Sequence, residues 1–128
     1  MYTSTQHGIK IKVEVIYQSD YSKPVKNEFV FAYRISIENQ NASPFQLLRR
    51  HWYIWDSNLI RREVEGEGVV GQLPIIESGE MYTYISGCPL LTEMGKMKGY
   101  YVFRNQDTLE EIEVPIPEFQ FIAPQKNN

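Results

Sequence analysis

Three observations predict a two-sheet antiparallel β-sandwich of seven to eight strands. Apolar residues recur with period two in one segment after another, turn-forming clusters separate those segments at short intervals, and no stretch carries a helical apolar period. The nine Tyr, six Phe and two Trp fall mostly within the alternating segments, where aromatic side chains favour extended backbone.

The polar start from Met1 to Gly8 is expected to lie ahead of a single ordered core spanning about residues 8–119. Ile9, Ile11, Val13, Val15 and Tyr17 alternate with Lys10, Lys12 and Glu14, which predicts a half-buried first strand. Gln18 to Asn27 holds Ser19, Asp20, Ser22 and Pro24 and reads as a turn. Phe29, Phe31, Tyr33, Ile35 and Ile37 then form one face of a second strand, which Asn39 to Pro44 ends. Phe45 to Trp55 is apolar on both faces in its later half, as expected of a strand covered on both sides. Asp56, Ser57 and Asn58 turn it back into Ile60 to Glu65, with Arg50 opposite Glu65 if the turn centres on Ser57 and Asn58.

Gly66 to Gly79 is expected to be a long irregular connection with a short strand at Val69 and Val70. Glu80 to Ser86 is the next strand, Gly87 to Gly95 a loop, and Lys96 to Arg104 another strand. Beyond the turn at Asn105 to Asp107, Ile112, Val114 and Ile116 alternate with Glu111, Glu113 and Pro115. Pro115 and Pro117 mark this last strand, extending weakly to Phe121, as an edge. Ala123 to Asn128 reads as a frayed polar tail.

At 128 residues, 42% apolar and 23% charged, the chain has the composition of an ordinary folded domain that buries about two-thirds of its surface. No apolar run approaches the ~20 residues that a membrane helix needs, so no membrane insertion is expected. The net charge of −3 supplies no long-range attraction for nucleic acid. One cysteine excludes an internal disulfide, and with two histidines it does not make the usual four-ligand zinc site. That cysteine usage and the lack of a secretory pattern in the first residues suit the cytoplasm. Cys88 itself reads as a small buried residue.

Gly66, Gly68 and Gly71 make a formal G-x-G-x-x-G. A dinucleotide site needs the third glycine to open a helix, but Gln72, Leu73 and Pro74 follow it here. Glu63, Glu65 and Glu67 would share one face and repel polyphosphate. The reading favoured by the residues is structural: glycines that allow positive φ, or close passage of neighbouring backbone. Carboxylates two apart on a strand lie about 6.6–6.8 Å apart, so no metal site is assigned, and no cofactor is expected. Arg49, Arg50, His51, Arg61 and Arg62 group beside Trp52 and Tyr53, where solvated faces and ion pairs account for them more simply than nucleic-acid binding. His51 is the only interior histidine and no nucleophile motif occurs, which argues against an enzyme.

Arg50-His51-Trp52, Asp56-Ser57-Asn58, the run Glu63 to Gly71, Pro74, Gly79-Glu80, Ser86-Gly87, Leu91-Thr92, Gly95-Lys96-Met97 and Gly99-Tyr100-Tyr101 together resemble the ApaG family. The chain departs from that pattern at Leu59, Ser78 and Glu93. The resemblance implies an immunoglobulin-like or fibronectin type III-like sandwich and a cytoplasmic bacterial protein associated with cobalt and magnesium efflux or resistance. Similar domains in eukaryotic F-box and polymerase-interacting proteins imply a protein-binding module. The leading expectation is therefore a non-enzymatic module acting through an unidentified protein partner, any effect on cation efflux being indirect. The alternative is a binder of nucleotide polyphosphate, pyrophosphate or a divalent cation through Gly66, Gly68, Val69, Val70 and Gly71, assisted by Arg49, Arg50 and Arg62.

Overall fold

A computed structural model describes residues 1–58 and 60–124. Leu59 and the end of the polar tail, 125–128, lie outside the described residues. Among the described residues nine strands follow one another: β1 (Tyr2–Gln6), β2 (Ile9–Tyr17), β3 (Phe29–Asn39), β4 (Phe45–Asp56), β5 (Arg61–Glu67), β6 (Ile75–Ile76), β7 (Met81–Leu90), β8 (Met94–Asn105) and β9 (Glu111–Ile122). One sheet runs β1-β2-β3-β7 and the other β5-β4-β8-β9, with β6 added to the start of β4. Every recorded strand pairing is antiparallel.

The strong alternations become central strands because each has one face to bury. Ile9, Ile11 and Val13 of β2 and Phe31, Ile35 and Ile37 of β3 are fully buried. They pack toward Tyr101, Phe103, Phe119 and Phe121 of the other sheet in one core. Aromatic rings bridge the layers: Phe31 to Phe121 at 4.8 Å, and Tyr33 to Trp52 at 5.7 Å and to Phe119 at 5.6 Å. The hydroxyls of Tyr84 and Tyr101 meet across the sheets and satisfy each other, as buried polar groups must. Buried Asn39 donates to the carbonyls of Ser43 and Ile76 and accepts from the Asn41 amide, tying the short strand β6 to the end of β3.

Four differences from the sequence expectation have physical causes. Strand β1 precedes the expected core, and Tyr2 alone supplies an aromatic anchor, against Phe119 at 6.1 Å, so alternation could not announce it. The expected strand at Val69 and Val70 is instead a tight turn, and the short strand lies at Ile75–Ile76. Most of the expected loop from Gly87 to Gly95 is extended, with β7 reaching Leu90 and β8 starting at Met94. Finally, Ala123 at the head of the supposed frayed tail is buried, its amide bonded to the Glu93 carbonyl at 2.8 Å.

Irregularities in register decide which side chains face in. The pairing of β4 with β8 shifts between Leu47 and Arg49. Phe45 and Leu47 are buried before the shift, Trp52 and Ile54 after it, so inward parity changes from odd to even, as one extra residue requires. The β8–β9 pairing shifts between Met97 and Gly99, beside Pro117 on edge strand β9, a position where proline sacrifices no interior ladder bond.

Candidate functional site

The β4–β5 hairpin carries the polar chemistry. Its register sets His51 opposite Glu65, Tyr53 opposite Glu63 and Arg49 opposite Glu67, while Arg50 meets Gly66. The register therefore differs by one residue from the expected one, and that single step changes which cation each glutamate meets. Val64 lies opposite buried Trp52, so the three glutamates share the outer face with Arg49, His51 and Tyr53.

On that face His51 is held between aromatic neighbours. Its ring stacks on Tyr100 at 5.1 Å with 13° between planes and lies 4.7 Å from Tyr53. A carboxylate oxygen approaches each ring nitrogen: Glu63 Oε2 is 3.0 Å from Nε2 and Glu65 Oε1 is 3.0 Å from Nδ1. The side chain of His51 keeps 12% exposure, against 42% for Glu63 and 67% for Glu65. Arg61 binds the other Glu63 oxygen at 3.2 Å and covers the Tyr53 ring. Lys96 and Lys98 lie over Trp55. The Tyr100 hydroxyl is held above its ordinary range by desolvation first, then by Glu113, Tyr53, Glu65 and Glu63. Beside this cluster opens a hollow of about 490 Å³ bordered by Arg49, Arg50, Glu65, Glu67, Tyr100 and Glu113.

The glycine segment is closed on itself. Val69 and Gln72 exchange two backbone hydrogen bonds of 2.9 Å, with Val70 at φ +47° and Gly71 at φ +75° between them. Positive φ at both central residues is the signature of a type I′ turn. Gly68, at φ +59°, donates its amide to Leu48 at 2.8 Å, and a Cβ there would collide with the Gln72 carbonyl oxygen. Gly66 leaves room for the Arg50 guanidinium, which a Cβ would meet at 2.7 Å. Arg50 donates from Nη1 to the carbonyls of Glu67 at 2.9 Å and Gly68 at 3.0 Å, and so clamps the turn to β4.

The three candidate arginines are thus dispersed. Arg49 lies on the outer face, paired with Glu111 at 2.9 Å. Arg50 serves the clamp, and Arg62 reaches across the open side of the sandwich to the Pro89 carbonyl at 2.7 Å and the Cys88 sulfur at 3.7 Å. Burial pushes the Cys88 thiol up to about 11, with Arg62 pulling the other way, which leaves it a poor nucleophile at neutral pH. The structure gathers Gly68, Val69, Val70 and Gly71 into one turn, with Gly66 and Arg50 at its base, and leaves Arg62 apart. The cluster of His51, Glu63, Glu65 and Tyr100 was missed by the spacing of carboxylates along one strand. The parity shared by Val64 and Trp52 was the signal that would have found it.

Two antiparallel sheets packed face to face, with the chemistry displayed on one outer face, define an all-β domain of the immunoglobulin-like sandwich class. The family described as ApaG domain matches residues 19–105. Protein ApaG of Brucella canis is 39% identical over 126 residues, covering 98% of this chain and 96% of its own. Protein ApaG of Pseudomonas aeruginosa is 41% identical over 122 residues, covering 95% and 96%. A crystal structure of an ApaA protein from Bordetella pertussis aligns with TM-score 0.88 and 39% identity over 92% of this chain and 95% of that one. The chain belongs to the ApaG family. Among the described residues no helix is long and apolar enough to cross a membrane.

Proposed function

We infer that this sandwich is a non-catalytic protein-binding module of the bacterial cytoplasm whose bearing on cobalt and magnesium tolerance is indirect, exerted through its partner. The observation that carries the reading is the tip beyond β5. Val70 is held at positive φ, a costly conformation for a β-branched residue, yet its side chain is 61% exposed. Leu73 and Ile75 follow at 45% and 51% exposure. Three exposed apolar residues within six positions contribute little to the core, whereas apolar residues gathered at one exposed tip suit a contact site. The turn bonds and the Arg50 clamp hold the tip in place before binding, which limits the entropy lost on association.

The test is photocrosslinking from position 73 in cells, followed by purification of the crosslinked protein and titration calorimetry. A single partner is expected to bind the native chain, and Val70→Asp with Leu73→Asp should weaken it at least tenfold while the thermal midpoint stays within a few degrees. Crosslinks scattered over unrelated proteins, or a partner indifferent to both changes, would overturn the reading.

A further inference from the structure

We propose that β7 is the contact edge of a symmetric dimer, in which two copies of this chain join β7 to β7 antiparallel about a two-fold axis at Thr83. Among the described residues β7 pairs with β3 alone, so its other side is a free sheet edge. The Asn39 amide donates to the Glu80 carbonyl at 3.0 Å, and that bond fixes the even-numbered residues of the strand as the ones paired to β3. Backbone groups alternate in direction along an antiparallel strand, so the amides and carbonyls of Met81, Thr83 and Ile85 aim outward. The carbonyl of Pro89, which has the same parity, accepts from Arg62 at 2.7 Å on that outer side.

Soluble β proteins guard such edges with charge, proline or shortness. Strand β5 has five charged side chains in seven residues, β9 has three glutamates and two prolines, and β1 is five residues long. Strand β7 runs for ten residues without one charged side chain, and its proline stands next to the end. On its outer face Met81 and Ile85 are 55% and 53% exposed.

The residues of β7 select a second copy as the occupant. A two-fold axis at Thr83 sets Met81 opposite Ile85 of the other copy, twice, and Thr83 opposite its own counterpart, each pair exchanging two backbone hydrogen bonds. On the outer face that register sets apolar against apolar and hydroxyl against hydroxyl, pairs that stabilise a sheet. On the inner face half-buried Tyr82 meets Tyr84 of the other copy. Glu38 of β3 stands beside Met81, and Arg34 beside Ile85. Each apolar pair therefore lies between a glutamate of one copy and an arginine of the other, and no like charges are opposed. An axis at Ile85 would instead set Met81 against Pro89, which has no amide and whose carbonyl Arg62 already holds. An isologous contact of this kind closes at two chains.

Sedimentation equilibrium of the full chain tests this, with amide exchange followed at Thr83 and Ile85 by NMR. A reversible dimer of twice the 15.0 kDa chain mass is expected at submillimolar concentration, with both amides gaining protection as it forms. Ile85→Lys should weaken the dimer at least tenfold. Adding Met81→Glu to that variant should restore it, because the two-fold register sets the two introduced charges opposite each other. A chain that stays monomeric at millimolar concentration, a dimer indifferent to Ile85→Lys, or a double variant that does not recover would overturn the proposal. Protection of the two amides only when a different protein is added would assign the edge to that protein and overturn it equally.

Discussion

Val70 shows how much a single backbone angle reveals. Its φ of +47° belongs to the region that Asn and Gly tolerate and β-branched residues resist. Val70→Asn should therefore raise stability by about 0.5–1 kcal/mol in urea denaturation, and it should also weaken partner binding, since the exposed apolar side chain is removed. Gly68 behaves in the opposite way. At φ +59°, and with the Gln72 carbonyl where a Cβ would stand, Gly68→Ala is expected to cost about 2–3 kcal/mol and to break the Val69–Gln72 bonds, read as faster amide exchange at those positions.

At the scale of elements, the extra residue at Leu48 is the feature on which the sheet depends. Inserting one further residue after Leu48 would shift the rest of β4 by one position, turning Trp52 and Ile54 to solvent and His51 and Tyr53 into the core. Loss of cooperative unfolding and of near-ultraviolet circular dichroism is the expected outcome. Strands with one face turned to the core, such as β2 and β3, were legible because Ile9, Ile11, Val13, Phe31, Ile35 and Ile37 recur at period two. Strand β1 was not, because its alternation has one aromatic member, and the extent of β7 was hidden by Gly87 and Pro89, which read as loop residues. The turn was legible as unusual backbone from Gly66, Gly68 and Gly71. The His51 cluster was hidden because it depends on a cross-strand register, which a one-residue difference in the turn alters completely.

For the molecule as a whole, burial of protonated side chains sets the alkaline limit of stability. Folding raises Cys88 from 9.0 to about 11, and raises Tyr33, Tyr84 and Tyr101 above their ordinary value of 10.0, burial being the leading cause in each case. Each of these groups loses its proton more readily when unfolded, so its contribution is complete below the unfolded value and declines as pH rises toward the folded one. Cys88 alone should cost about 2–3 kcal/mol between roughly pH 9 and 11. Denaturant midpoints measured from pH 7 to 11 are expected to be level at first and then fall, with Cys88→Ala falling less steeply above pH 9 than the native chain.

The seating of β9 beneath β1 and β3 has a consequence in time. Tyr2 accepts a hydrogen bond from the Gln120 amide across 118 positions of chain, and Phe121 lies against Phe31. Neither the first strand nor the ring cluster of β3 is complete until the last strand arrives. A ribosome adding about 5–20 residues per second needs roughly 6–24 seconds to join those two ends, and throughout that interval the aromatic side of the nascent sheets stands open. Such long-range closure predicts refolding in milliseconds to seconds rather than microseconds, so the nascent chain's need for a chaperone should be settled by when β9 leaves the exit tunnel, a point that ribosome-stalled truncations before and after Phe121 would locate.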